Sequence, residues 1–244
     1  MKIKVINPNT TASMTQKIGQ VAKAVAAPTT EIVARSPTMG PVSIEGHYDE
    51  AVSVLGVIDE VRKGEQEDFD GYVIACFGDP GLLAAREIAR GPVIGVAEAA
   101  MHAASFLCTG FSIVTTLSRT RSIAEHLVMQ YGMTHKCRKV RATDLAVLDL
   151  EDPLSKARKT IIDECRCALT EDQSDAIVLG CTGMADLASE LQEELGVPVI
   201  DGVGAAVKFV EALVSLKLRT SKAGDLAFPL SKPYVGIMES FSPK

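Results

Sequence analysis

The chain has no excess of positive charge, no long apolar run, no CxxC pair and no low-complexity linker. Each absence removes a class of function. Lys and Arg number 25 against 31 Asp and Glu, a formal net charge of −6, and an acidic chain is a poor match for nucleic acid or an anionic membrane surface. No apolar stretch reaches the roughly 18–20 residues that span a bilayer. The opening MKIKVINPNTT reads as a strand, not an export signal, because its apolar part is short and Asn and Pro follow at once. A cytoplasmic protein is expected. The six cysteines are Cys76, Cys108, Cys137, Cys165, Cys167 and Cys181, but 244 residues with 47% hydrophobic content can build a core without disulfide staples. The one close pair, Cys165 and Cys167, has no His at ligand spacing, so no metal site is expected.

What the chain does have is alternation. Strand-like runs fall at 2–7, 31–35, 71–76, 92–96, 111–116, 138–142, 175–180 and 197–200. Amphipathic helical runs fall at 11–26, 49–67, 79–90, 97–107, 118–131, 153–171, 184–195 and 202–217. Short continuous Val/Ile runs between helices mark buried parallel strands, so the class is α/β.

The alternation is also a repeat. DGYVIACFGDPGLL begins at Asp70 and DAIVLGCTGMADL at Asp175, 105 residues later, and Cys76 and Cys181 are 105 apart as well. GPVIG and then an Ala-rich helix follow the first; VPVIDG and an Ala-rich helix follow the second. KVINPNTT and FSIVTTLSRT match upstream. The expectation is two similar parallel-sheet lobes related by a pseudo-twofold axis, 1–100 and 101–207, with 208–244 packing back on the first. The segment from Thr220, rich in Pro, Gly, Ser and Lys, reads as an ordered surface tail. Ligands of such sheets sit beyond the carboxyl ends of the strands, where both cysteines fall, so the twofold would set them face to face across one cleft.

A lone buried cysteine is usually a small hydrophobe. Two at matching repeat positions, each before a small-residue turn, point to chemistry; the other four have no repeat partner and read as filler or surface thiols. Two facing thiols suit inversion of a carbon centre: a thiolate takes a proton from one face and a thiol returns one to the other. The base needs a lowered pKa, and backbone N–H groups of Phe77-Gly78-Asp79 and Thr182-Gly183, at helix starts near Asp79 and Met184, are expected to supply part of that lowering. The same groups would hold an enolate oxyanion.

INPNTT, SIEG, DEA, VIACFGDPGL, GPVIGVAEAAMH, FSIVTTL, IVLGCTGM and GVPVIDGVGAAVK resemble the aspartate/glutamate/hydantoin racemase superfamily, and within it the hydantoin racemases, along nearly the whole chain. The tail TSKAGDLAFP resembles the allantoin racemase branch. The resemblance implies a cofactor-independent racemase inverting C5 of a 5-substituted hydantoin, allantoin being one, with a role in purine catabolism. It implies catalysis by Cys76 and Cys181, a small-molecule substrate and a homo-oligomer. Substrate contacts are expected from Asn7, Ser43, Ile44, Phe77, Gly78, Asp79, Thr115, Thr116, Thr182 and Gly183. Asp79 acts through its N–H, as a helix start, and Ser43, Ile44 and Glu45 overhang the ring.

A hydantoin also fits the residues themselves. Its C5 proton flanks a carbonyl, whereas a free amino acid carries a carboxylate that usually demands Arg anchors, and neither cysteine motif has an Arg within three residues. Glu98 and His102, one helical turn apart, could pair. Other readings are an amino-acid racemase or cis–trans isomerase of the same superfamily, and, from another class, a small-molecule binding or sensor protein.

Overall fold

The computed structural model describes residues 1–151 and 156–243, and in them the chain alternates strand and helix from end to end. The first half runs β1 (Lys2–Ile6), α1 (Ala12–Val25), β2 (Glu31–Arg35), α2 (His47–Gln66), β3 (Gly71–Ile74), α3 (Leu82–Ile88), β4 (Val93–Gly95) and α4 (Val96–Leu107). The second runs β5 (Phe111–Thr115), α5 (Arg121–Gln130), β6 (Cys137–Ala142), α6 (Ala157–Glu171), β7 (Ala176–Leu179), α7 (Ala188–Leu195), β8 (Val199–Ile200) and α8 (Gly202–Ser215). The start of the helical run 153–171 lies partly outside the described residues.

These strands form two four-stranded parallel sheets of one order, β2-β1-β3-β4 and β6-β5-β7-β8. The central strands are buried along their whole length: β3, β5 and β7 show no exposed position. That is why they read as continuous apolar runs and not as alternating ones.

The helices after the fourth strands cross over. Ala97, Ala100, Met101 and Ala104 of α4 pack with Phe111, Ile113 and Val178 of the second sheet. Val203, Ala206, Val207 and Val210 of α8 pack with Ile3, Val5 and Val73 of the first. The two helices also touch each other: a Cβ on Gly202 would stand 2.4 Å from the Val96 carbonyl oxygen. Their alanine content is explained by this crowding, since larger side chains would hold the backbones apart.

Beyond α8 the tail lies on the first half. Thr220 donates to the Gly91 carbonyl, Lys222 to the carbonyls of Arg86 and Glu87, and Arg62 to that of Ser240. Among the described residues no helix is long and apolar enough to cross a membrane.

Three helical spans differ from the sequence expectation, the run 118–131 opening with a 3-10 turn, Ser118–Thr120, before α5. The run 79–90 forms a helix only from Leu82, because Asp79 (φ 46°) and Gly81 (φ 70°) are left-handed and turn the chain first. The run 184–195 splits into a 3-10 turn, Thr182–Leu187, and then α7.

Candidate active site

β3 ends at Ile74 and β7 at Leu179, and each is followed by one small residue and then cysteine: Ala75-Cys76 and Gly180-Cys181. Both strands are inner members of their sheets. Cys76 and Cys181 line one cavity of about 60 Å³, which confines its occupant to a small molecule. Phe77, Gly78, Thr115, Thr116, Thr182 and Ile44 line it with them. Its two halves are stitched together. The Thr182 hydroxyl donates across to the Ala75 carbonyl (3.3 Å), joining one cysteine turn to the other strand tip. Above, Ile44 and Val147 cover the cavity, and the Val147 N–H donates to Glu45 Oε1 (3.0 Å) to tie the two covering loops.

Four residues expected at the substrate do not present their side chains to the cavity. Asn7 is buried behind the wall, its amide donating to Asn9 Oδ1 and Thr15 Oγ1, and Asn9 takes its place at the cavity. Ser43 and Gly183 do not line the cavity, although their neighbours Ile44 and Thr182 do. The Asp79 N–H, the group expected to serve the site, donates instead to the Cys76 carbonyl (2.9 Å), and its carboxylate turns away to accept from the N–H groups of Ala97 (3.1 Å) and Glu98 (2.9 Å) at the start of α4, and from the Tyr131 hydroxyl (2.7 Å). Glu98 and His102 do not pair through their side chains: Glu98 holds Arg86, and His102 Nδ1 meets the Glu98 carbonyl.

The cavity wall includes residues that the sequence pattern did not single out, chiefly Glu50 of α2 and Thr120 beside α5. The available signals for Glu50 were its place in the DEA motif that carries the family resemblance and in an acidic first turn after a glycine. Thr120 carried none beyond lying just past the Thr115-Thr116 tip.

Burial dominates the electrostatics of the site. Burial pushes the Cys76 thiol up to about 12; the Gly78 N–H pulls the other way, and the charges of Asp79 and Glu50 and the neighbouring Cys181 add to the rise. The expected lowering by backbone N–H groups is therefore present, through Gly78, but outweighed by burial. α3 begins only at Leu82, so its N-terminus is not directly behind Cys76. Burial also lifts Asp79 to about 7, against the pull of its three donors. No cysteine among the described residues forms a disulfide. Among the described residues no group of three or more His, Cys, Asp or Glu is placed to hold a metal ion.

Comparison with known proteins agrees with this geometry. Residues 3–210 match the sequence profile described as Asp/Glu/Hydantoin racemase. The chain is 51% identical over 241 residues to a hydantoin racemase of Pseudomonas sp. (strain NS671), covering 99% of this chain and 97% of that one. It superimposes on an allantoin racemase from Klebsiella pneumoniae with a TM-score of 0.98 at 58% identity, covering 100% of both chains. An allantoin racemase from Pseudomonas fluorescens gives a TM-score of 0.93 at 40% identity, over 97% of this chain and 100% of that one. With the family profile spanning most of its length, this chain belongs to the Asp/Glu/hydantoin racemase family, and it is an isomerase, a racemase.

Proposed function

We propose that this protein inverts C5 of a 5-substituted hydantoin, without a cofactor, by passing a proton between substrate and the thiols Cys76 and Cys181. The observation that carries the reading is that two strand-tip cysteines at matching positions of a repeat line one small cavity. The shared strand order supports the pseudo-twofold arrangement that would present them to opposite faces of a flat ring.

The chemistry follows from the carbon acid. C5 of a hydantoin lies next to a ring carbonyl, so loss of its proton gives an enolate whose charge rests on oxygen. One cysteine, as thiolate, removes the proton from its own face; the other, as thiol, delivers a proton to the opposite face, and the roles exchange in reverse. Backbone N–H groups of the turns at Phe77-Gly78 and Thr182-Gly183 are suited to the enolate oxygen. A Cys76 thiol held near 12 is a strong base once ionised, and the Gly78 N–H together with ring N–H groups of the substrate offsets the cost of its charge.

An amino-acid racemase is less well supported. No Lys, Arg or His lines the cavity among the described residues, so a free carboxylate would enter without a counter-charge. The deciding experiment is incubation of the purified protein with one allantoin enantiomer while optical rotation is followed. Rotation should decay to zero far faster than in enzyme-free solution. Saturable binding of hydantoins with no change in rotation would point instead to a binding protein.

A further inference from the structure

Among the described residues, Glu50 is the one ionisable side chain besides the two thiols that lines the cavity. It sits in the first turn of α2, and its carboxyl carbon lies 3.7 Å from where a Cβ on Gly78 would stand, directly over the turn that follows Cys76. The side chain is about a quarter exposed (26%), and His47 Nδ1 approaches its Oε2 at 3.7 Å from the solvent side. Burial raises its pKa while His47 lowers it, and the free N–H groups of the α2 N-terminus favour the charged form.

We propose that Glu50 reads the C5 substituent, selecting a ureido group or another donor of several N–H bonds over an alkyl or aryl group. This rests on the hydantoin reading above and names the substrate class within it. An ionised carboxylate is acceptor-only. When a substrate fills the cavity, Glu50 loses part of its water and must regain donors or stand desolvated. A ureido substituent carries three N–H bonds on a short planar arm. An isobutyl or benzyl group carries none, and a carboxylate-bearing group meets like charge. The placement has a second effect. Glu50 is one of the charges that oppose ionisation of Cys76, so donors drawn onto Glu50 also ease formation of the neighbouring thiolate.

The test compares kcat/KM for allantoin and 5-benzylhydantoin in the wild type, Glu50→Gln and Glu50→Ala. The wild type should favour allantoin by about tenfold or more. Glu50→Ala should lose at least about tenfold more on allantoin than on 5-benzylhydantoin, narrowing or reversing the preference. Glu50→Gln keeps shape and one acceptor oxygen, so it should fall between the two and serve as the fold control. In both variants Cys76 should be alkylated at lower pH than in the wild type. Equal loss on both substrates would make Glu50 part of the general machinery or a packing residue, and no loss on either would make it a bystander; each overturns the proposal. A wild type that racemises neither substrate refutes the hydantoin reading itself, and this inference with it.

Discussion

The two halves solve one problem in opposite ways. In each, an Ala-rich helix starts directly after the fourth strand, with its first N–H groups buried and in need of acceptors. In the second half the acceptor is local: Asp201, at the N-cap, takes the N–H groups of Val203 (2.9 Å) and Gly204 (2.7 Å). In the first half the N-cap is Gly95, which has no side chain to offer. Asp79 reaches over from the Cys76 turn to do the capping, and it fits only because position 95 is glycine: a Cβ there would be 2.2 Å from its carboxyl carbon. The residue at the repeat position of Asp79 is Met184, which is apolar and fully buried. So one half pairs Asp with Gly where the other pairs Met with Asp. The difference places a buried carboxylate beside one thiol of the pair, and its charge contributes to the high pKa of Cys76.

Sequence symmetry therefore does not imply chemical equivalence, and removing each thiol in turn is the strongest way to break the comparison. Cys76→Ser and Cys181→Ser should each lower racemisation by about a thousandfold or more, since a serine hydroxyl is a far weaker acid than a thiol and supplies no ionised base. Each variant should still exchange the C5 proton with solvent deuterium for one enantiomer, and the preferred enantiomer should be opposite in the two. Racemisation within a few-fold of wild type in both would end the two-thiol reading.

The Cys76 environment gives the next effect. With its thiol near 12 in the free protein, alkylation of Cys76 by iodoacetamide, followed by peptide mapping, should still climb about tenfold per pH unit between pH 7 and 10. A plateau near pH 8 would contradict a thiol raised by burial.

Stability changes should follow the capping asymmetry. Gly95→Ala drives a methyl into an Asp79 carboxylate pinned by three hydrogen bonds and should cost about 3 kcal/mol in denaturant unfolding. Asp79→Ala loses the remote cap and strands the Tyr131 hydroxyl, for about 2 kcal/mol. Asp201→Ala loses only a local cap, for about 1 kcal/mol. A reversed order for the two Asp variants would place the main load on the second half.

The smallest effect is on pH dependence. Asp79 titrates at about 7 and Asp201 at about 6, above the ordinary 3.8. Between those limits the folded state holds protons that the unfolded chain has released, so these groups make stability fall as pH rises from about 4 through 7. The slope of melting temperature against pH in that window should flatten in Asp79→Asn.

The sequence by itself determined the α/β class, the eight strand–helix alternations among the described residues, the duplication, and the placing of both cysteines at strand tips. All of these are written in local signals: continuous Val/Ile runs, helical periodicity and a motif repeated at constant spacing. Part of the cavity wall was legible for the same reason, since Phe77, Gly78, Thr115, Thr116 and Thr182 lie just beyond or at strand ends, whereas Ile44, in the loop before α2, was expected only from the family resemblance. Only the tertiary structure decided where side chains turned once there. Asp79 leaves the site to cap a helix beginning 17 residues later in the chain. Asn7 is consumed by its own loop while Asn9 comes forward. Glu50 enters the cavity from a helix whose apolar pattern gave no hint of it. The ties across the cleft, Thr182 to Ala75 and Val147 to Glu45, join residues 107 and 102 positions apart. A polar side chain goes to whichever buried partner most needs it, and that partner is set by packing between elements, which no local pattern of residues encodes.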